Sequence, residues 1–369
     1  MDDITVAALI AIALALCSDL VNARRRKDGN EKKEWLFAIA VILFLSLYGG
    51  LRTRFNDTGT YIKAYEGIAG FSSISDYDMS IGSNPGFFVL IAIFKLFTKD
   101  YHVFIFATTL FCVASVVLFF RKYSQYLSFP VALYIMTAAY LFSCAAIKQC
   151  LAMGLCLIAT HFFIEKKWAM YLIFVLLAVL IHPYAVLYLL VPLIASKPWR
   201  TQTYAVLIGA AAVAFMLTQF MDLLLDLTNA IGEEFVEEDL SGEGVNVIRV
   251  IVYAIPTVLS FVFRKELYEN STPAENLITN LSVLSFALMF VGMFGTANMF
   301  ARLANYFQYF YIISIPWILL RLKTKLREVY IYACLAGFAG FYYYSYYISV
   351  DFNASFDRIT TIEFIKGLF

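Results

Sequence analysis

An all-α, polytopic membrane helical bundle is the fold class that the sequence predicts, with about twelve transmembrane helices and one short interfacial or re-entrant helix. Three observations carry this. Hydrophobic residues make up 62% of the 369-residue chain and charged residues only 15%, against roughly 25% charged in a soluble domain. Apolar runs of spanning length recur from end to end. Lys and Arg gather in alternate short loops between those runs. Polar surface is too scarce to cover a water-exposed core, so residues 1–369 read as a single integral membrane domain. A net charge of +1 leaves no field that would attract nucleic acid.

The first run, 4–22, follows two aspartates rather than basic residues and lacks a small-residue cleavage site, so it reads as a retained helix and not a signal peptide. Further spans are 35–51, 102–120, 129–143, 147–164, 203–221, 247–263, 277–295, 303–320 and 328–345. The run 169–196 is too long for one span and is broken at His182-Pro183. Proline removes an amide donor and disfavours helix just before it, so two short helices, 169–181 and 184–196, meet there in a turn. The apolar stretch 86–97 is too short to cross. Cys17, Cys112, Cys144, Cys150, Cys156 and Cys334 all lie in or beside apolar runs without a C-x-x-C pair, so they read as small packing residues rather than metal or redox ligands.

Lys and Arg in short loops mark the cytoplasmic side. Arg24–Lys27, Arg121-Lys122, Lys166-Lys167, Lys197 with Arg200, Arg264-Lys265 and the Arg321–Arg327 cluster all favour one side. A topology with both termini outside satisfies every cluster if 86–97 does not cross. Two long loops then face outward: 52–84, rich in Gly, Ser, Asp and Tyr, and 222–246, with eight acidic residues and no basic one.

Basic residues at outer helix ends run against this trend and need a reason. Arg52 and Arg54 follow the second span, while Lys148, Arg249 and Arg302 open later ones. Ionisable groups at membrane depth usually face a polar cavity or a partner. Arginines from separate helices suit phosphate or pyrophosphate, whose oxygens match the guanidinium fork; the alternative is snorkelling to lipid phosphates. His182, at the broken helix, suits either a base or hydrogen-bonding group for a sugar, or a structural cap. Asp57 in Asn56-Asp57-Thr58-Gly59 suits either a proton acceptor or a helix N-cap. Tyr61 and Tyr65 share a helix face and suit sugar stacking or interface packing. His102 and His161 read as interfacial. No Walker A, H-E-x-x-H, G-x-S-x-G or dinucleotide motif occurs, and Asp76-Tyr77-Asp78 lies outside, where no nucleotide sugar is expected. No cofactor or metal is expected.

Several stretches resemble the EpsG-like membrane proteins and, more broadly, the Wzy-type polymerases of bacterial surface polysaccharides. They are Gly50-Leu51-Arg52 with Asn56-Asp57-Thr58 and Tyr61, Asn84-Pro85-Gly86-Phe87, Ile147-Lys148-Gln149, Ile181-His182-Pro183-Tyr184-Ala185, and Ala301-Arg302 with Tyr306-Phe307. They occur in family order over residues 50–320. Lys148 stands where the family usually has arginine, which keeps the charge and gives up the fork.

The resemblance implies a metal-independent glycosyltransferase of the bacterial cytoplasmic membrane, similar in architecture to the GT-C-like membrane glycosyltransferases, with its site facing outward. It would polymerise oligosaccharide units linked to polyprenyl pyrophosphate into exopolysaccharide, capsule or O-antigen. Membrane lipids, a flippase and a chain-length regulator would be its company. Asp57 and His182 would serve catalysis. Arg52, Arg54, Tyr61, Lys148, Gln149, Arg249, Arg302 and Tyr306 would bind pyrophosphate or glycan. The competing reading is a flippase for the same lipid-linked glycans, with the same cationic pocket and no bond chemistry. A membrane acyltransferase is less well matched, because His182 has no catalytic partner nearby in sequence.

The topology makes one direct prediction. A cysteine placed in 222–246 should react with an impermeant thiol reagent added to intact cells. Reaction only after the inner membrane is permeabilised would overturn the topology.

Overall fold

The computed structural model describes residues 3–28, 33–70, 84–217, 244–295, 297–348 and 356–367. Most of the acidic loop 222–246 and residues 71–83 of the first outer loop lie outside the described residues.

The chain is almost wholly helical. Its N-terminal half contains α1 (Asp3–Lys27), α2 (Leu36–Gly50), strand β1 (Arg52–Arg54), α3 (Thr58–Gly67), α4 (Pro85–Lys95) and α5 (Tyr101–Tyr123). Then come α6 (Ser128–Met136), α7 (Ala139–Ala145), α8 (Ile147–Ile164), α9 (Trp168–Ile181) and a 3-10 helix over Pro183–Ile194. The C-terminal half contains α10 (Thr201–Phe215), α11 (Val247–Val262), the short α12 (Arg264–Leu267), α13 (Pro273–Val291) and α14 (Ala297–Asn305). It continues with α15 (Gln308–Arg321), α16 (Arg327–Tyr343), β2 (Asp357–Arg358) and α17 (Thr361–Gly367).

Helix occupies every segment that hydropathy marks as a span, but the count of about twelve crossings does not follow from length. Among the described residues, four helices (α1, α5, α8 and α13) are long and apolar enough to cross a membrane. The number rises to six if two bent pairs each count as one span. The other apolar helices have 10–17 residues; at about 1.5 Å per residue they fall short of a roughly 30 Å hydrocarbon core. Three corrections concern shape. The run 129–143 is a pair, α6 and α7, bent by 59° where Ala138 takes a left-handed φ of 59°. The run 303–320 is likewise bent, by 51°, between α14 and α15. The segment after Pro183 is a 3-10 helix rather than an α-helix. That winding rises about 2 Å per residue, so few residues carry the chain a long way.

The outer loop 52–84 is not simply a loop. Strand β1 pairs antiparallel with β2, Arg52 opposite Arg358 and Arg54 opposite Asp357, and Ile359 N–H donates to the Leu51 carbonyl at 3.0 Å. This ties the C-terminal segment to the end of α2, and Phe364 of α17 meets Phe106 of α5 at 5.3 Å.

The bundle has two unlike ends. At one end the basic loops are knitted together. Arg121 donates to the Glu34 carbonyl at 3.0 Å and lies 3.5 Å from the Trp35 ring centre. Lys122 and Lys167 pair with Glu165, and Arg321 pairs with Glu275 at 2.7 Å. Here too Asp19 of α1 accepts from the Leu127 and Ser128 amides at 2.7 and 2.9 Å, capping α6. Between the ends, α5 packs on α2 and α8, and α13 packs on α10, α11, α14 and α15. The core is rich in tyrosine, and hydroxyls such as that of Tyr140 (to the Leu45 carbonyl, 2.7 Å) find backbone acceptors. Buried hydroxyls need such partners.

Asp19→Ala should leave two buried donors unsatisfied and cost about 1–3 kcal/mol. The expected result is a lower thermal midpoint of the purified protein, partly restored by Asp19→Asn. An unchanged midpoint would contradict the cap.

Candidate functional site

The candidate site lies at the end opposite the basic loops, where several helices are interrupted. It begins at the close of α2. A Cβ on Gly50 would meet the Phe106 backbone at 2.9 Å, so glycine there lets the last turn press against α5. The chain then enters β1, and Arg52 turns inward. Its side chain is fully buried: Nη1 donates to the Gly49 carbonyl and to Thr109 Oγ1 at 2.9 Å, and Nε donates to Thr58 Oγ1 at 3.1 Å. Thr58 in turn donates to the Phe55 carbonyl at 2.6 Å. Arg52 therefore clamps the turn that carries Asp57.

That turn runs through Asn56, whose φ of 44° is left-handed, a conformation asparagine tolerates better than most residues. Asp57 occupies the N-cap position of α3, yet its side chain makes no capping hydrogen bond. Its backbone carbonyl receives the Thr60 and Tyr61 amides instead, which leaves the carboxylate to the site. Packed protein around it raises its pKa, against the pull of the nearby Arg302 and Lys148 charges.

Lys148 and Gln149 open α8 directly after α7. Gln149 is buried, and its Nε2 donates to the Arg302 carbonyl at 2.7 Å, joining α8 to the end of α14. The buried Tyr61 hydroxyl meets the Lys148 backbone amide, and the Tyr61 ring packs edge-on to Phe87 at 5.8 Å. Lys148 Nζ lies 5.9 Å from the same Phe87 ring. Phe87 comes from the Asn84-Pro85-Gly86-Phe87 turn that starts α4. A Cβ on Gly86 would meet the Leu180 carbonyl at 2.8 Å, so glycine lets α4 close against the end of α9.

His182 caps α9 in an extended conformation, in the turn outside either short helix. Tyr306, in the break between α14 and α15, shares a 2.9 Å hydrogen bond with His182 Nδ1, the direction set by the imidazole tautomer. The Tyr306 carbonyl receives the Tyr188 hydroxyl at 3.2 Å. Burial lowers the His182 pKa to about 3, and the Lys148 and Arg302 charges add to the effect. The imidazole is therefore neutral at physiological pH. Arg302 itself is exposed.

The sequence-predicted residues divide into two groups. Asp57, Tyr61, Lys148, Gln149, His182, Arg302 and Tyr306 come together. Arg54 is exposed in β1 opposite Asp357. Arg249 is half-buried near the Tyr253 and Tyr311 hydroxyls, and Tyr253 reaches the site's border through a 2.8 Å bond to Asn305. Sequence reasoning missed Thr58, Thr109 and Tyr188. Polar Thr109 inside an apolar span was the one available signal. Among the described residues, no group of three or more His, Cys, Asp and Glu side chains is arranged to hold a metal ion.

The raised Asp57 pKa has a stability consequence with a definite sign. A carboxyl whose folded pKa exceeds its unfolded value of about 4 loses stability as pH rises through the window between them. Asp57→Asn should therefore raise the thermal midpoint at neutral pH and leave it unchanged below that window. A lower midpoint at neutral pH would show that the carboxylate stabilises the fold.

No curated protein and no solved structure matches the chain. The EpsG family model matches residues 35–357, a stretch that holds every residue of the site from Arg52 to Tyr306. The chain belongs to the EpsG family, whose members are Wzy-type polymerase-like proteins.

Proposed function

We propose that this protein polymerises lipid-linked oligosaccharide units at the outer face of the bacterial cytoplasmic membrane. The family gives a polysaccharide polymerase-like role. The observation that carries the finer reading is the meeting of Lys148 and Arg302 beside Asp57 and the neutral His182. Cations from two separate helices near one another at a helix break suit the oxygens of a pyrophosphate.

In this reading a donor glycan arrives on polyprenyl pyrophosphate from the membrane. A hydroxyl of a second lipid-linked unit attacks the donor's anomeric carbon. The bond from that carbon to the pyrophosphate oxygen breaks, and the electron pair leaves with the pyrophosphate. Arg302 and Lys148 stabilise the growing negative charge; fixed donors aimed at developing charge are each worth a few kcal/mol in a low-dielectric site. Asp57 accepts the hydroxyl proton, since its raised pKa makes it a better base than a carboxylate in water. His182, too weak a base for that work, hydrogen-bonds sugar or acceptor and is oriented by Tyr306. Arg52 acts as a positioning residue through Thr58, and Tyr61 and Gln149 hold Lys148 and Arg302 in register. The finer topology, about twelve crossings with both termini outside and α4 not crossing, puts this site at the outer leaflet.

The test is the surface glycan of a strain lacking the protein. Long chains should vanish while single units remain on lipid at the outer leaflet. Single units trapped at the inner leaflet would instead make the protein a flippase. In the complemented strain, Arg302→Lys should lower chain synthesis roughly 10²-fold with normal protein levels, because charge alone does not restore the fork. Near-normal synthesis would remove Arg302 from the clamp.

A further inference from the structure

At the basic end, the loop between the 3-10 helix and α10 faces the junction of α11 and α12 across a hollow of about 580 Å³. Lys197, Arg200, Arg264 and Lys265 line it, with Glu269 the one acidic residue in the lining. Elsewhere at this end several cations are matched: Lys122 and Lys167 by Glu165, Arg321 by Glu275, Arg327 by Glu328. Among the described residues, Lys197, Arg200 and Lys265 form no ion pair. Glu266, next along the chain, accepts the Lys323 amide rather than facing the cations. The hollow therefore gathers three cations that form no ion pair among the described residues in one concavity.

The hollow is built, not a chance gathering of mobile side chains. Asn280 of α13 donates to the Ile194 and Ser196 carbonyls, both at 2.8 Å, and accepts from Thr203 at 2.9 Å. Thr203 accepts the Trp199 amide at 3.0 Å, in a turn where Trp199 takes a left-handed φ of 60°. The Trp199 ring packs edge-on against Phe261 at 4.8 Å. Arg264 lies 4.3 Å from the Phe261 ring centre and donates to the Phe261 carbonyl at 2.8 Å. The backbone turn that carries Lys197 and Arg200, and the Arg264 side chain, are thus held in place around the Trp199–Phe261 ring pair.

The two helices that border the hollow, α10 and α11, carry large apolar side chains left exposed among the described residues. Ile208 of α10 and Val258 and Val262 of α11 are each more than half exposed. Positive charge above an uncovered apolar bank is the shape of a phospholipid, a phosphate head on hydrocarbon tails. A free phosphorylated solute would use the charge and leave the bank unused. Basic pockets between membrane helices on the cytoplasmic side are known to take anionic headgroups.

We propose that this hollow binds the headgroup phosphate of an anionic phospholipid in the adjoining leaflet, with its acyl chains along Ile208, Val258 and Val262. The site is separate from the polymerase reading and does not depend on it.

The test uses the full-length protein purified in detergent. Retention of phosphatidylglycerol and of phosphatidylcholine with the same acyl chains is measured by native mass spectrometry. Phosphatidylglycerol should be retained preferentially. The triple variant Lys197→Gln, Arg200→Gln, Lys265→Gln should lose roughly 10–100-fold of that preference. Lys197→Arg with Lys265→Arg should keep it, which separates loss of charge from loss of fold. A control removing Lys325 and Arg327, at the same end but outside the hollow, should leave it unchanged. Equal retention of the two lipids, or an unaffected triple variant, would overturn the proposal. So would displacement of the lipid by millimolar inorganic phosphate, which would identify a soluble phosphorylated ligand as the occupant.

Discussion

The cost of holding charge away from water governs this molecule. Lys148 and Arg302 stand at the end of an apolar bundle with Asp57 as the carboxylate near both. Their combined field, added to burial, keeps His182 neutral. Charge held at such a place is costly unless it is paired, hydrogen-bonded or hydrated. The same logic explains Arg52. Among the described residues its guanidinium is fully buried without a carboxylate partner; two threonine hydroxyls and a helix-end carbonyl accept from Nε and Nη1, while Nη2 has no hydrogen-bond partner. One arginine is used up by the scaffold while Arg302 is left exposed.

The scaffold creates this site by breaking its helices at one level. α2 stops at Gly50, α7 gives way to α8 before Lys148, α9 ends at His182, and α14 turns into α15 at Tyr306. Each break frees backbone groups that membrane depth would punish. The freed groups are paid back locally: the Arg302 carbonyl by Gln149, the Tyr306 carbonyl by Tyr188, the Gly49 carbonyl by Arg52. The first two of these bonds cross between elements far apart in sequence, so they also fix the relative positions of the side chains in the site. The β1–β2 pair adds a tie from the C-terminal segment to the strand that holds Arg52.

Much of this was legible in the sequence because the signals were local. Apolar runs marked the helices, His182-Pro183 marked the hairpin, and cations on the wrong side of the charge pattern marked Lys148 and Arg302. What was not legible depended on pairing across the fold. Arg52 and Arg302 look alike in sequence, and only Thr58 and Thr109 on neighbouring elements separate a buried clamp from an exposed one. Asp57 was equally readable as a capping residue; the structure gives the cap's place to its backbone and leaves its side chain uncommitted. The bends at Ala138 and Tyr306 carry no proline or glycine at the break, so hydropathy ran straight through them. β2 and α17 follow a segment too polar for a span and too short for a clear period.

The central claim is that one protein, unaided, joins lipid-linked units and expels polyprenyl pyrophosphate. The most direct measurement is a reconstitution of the purified protein in liposomes with a single lipid-linked repeat unit, following polymer length and released lipid pyrophosphate together. The account predicts lengthening chains with one lipid pyrophosphate released per linkage, and neither product when Lys148 and Arg302 are both changed to glutamine. Transbilayer movement of intact units without pyrophosphate release would contradict it.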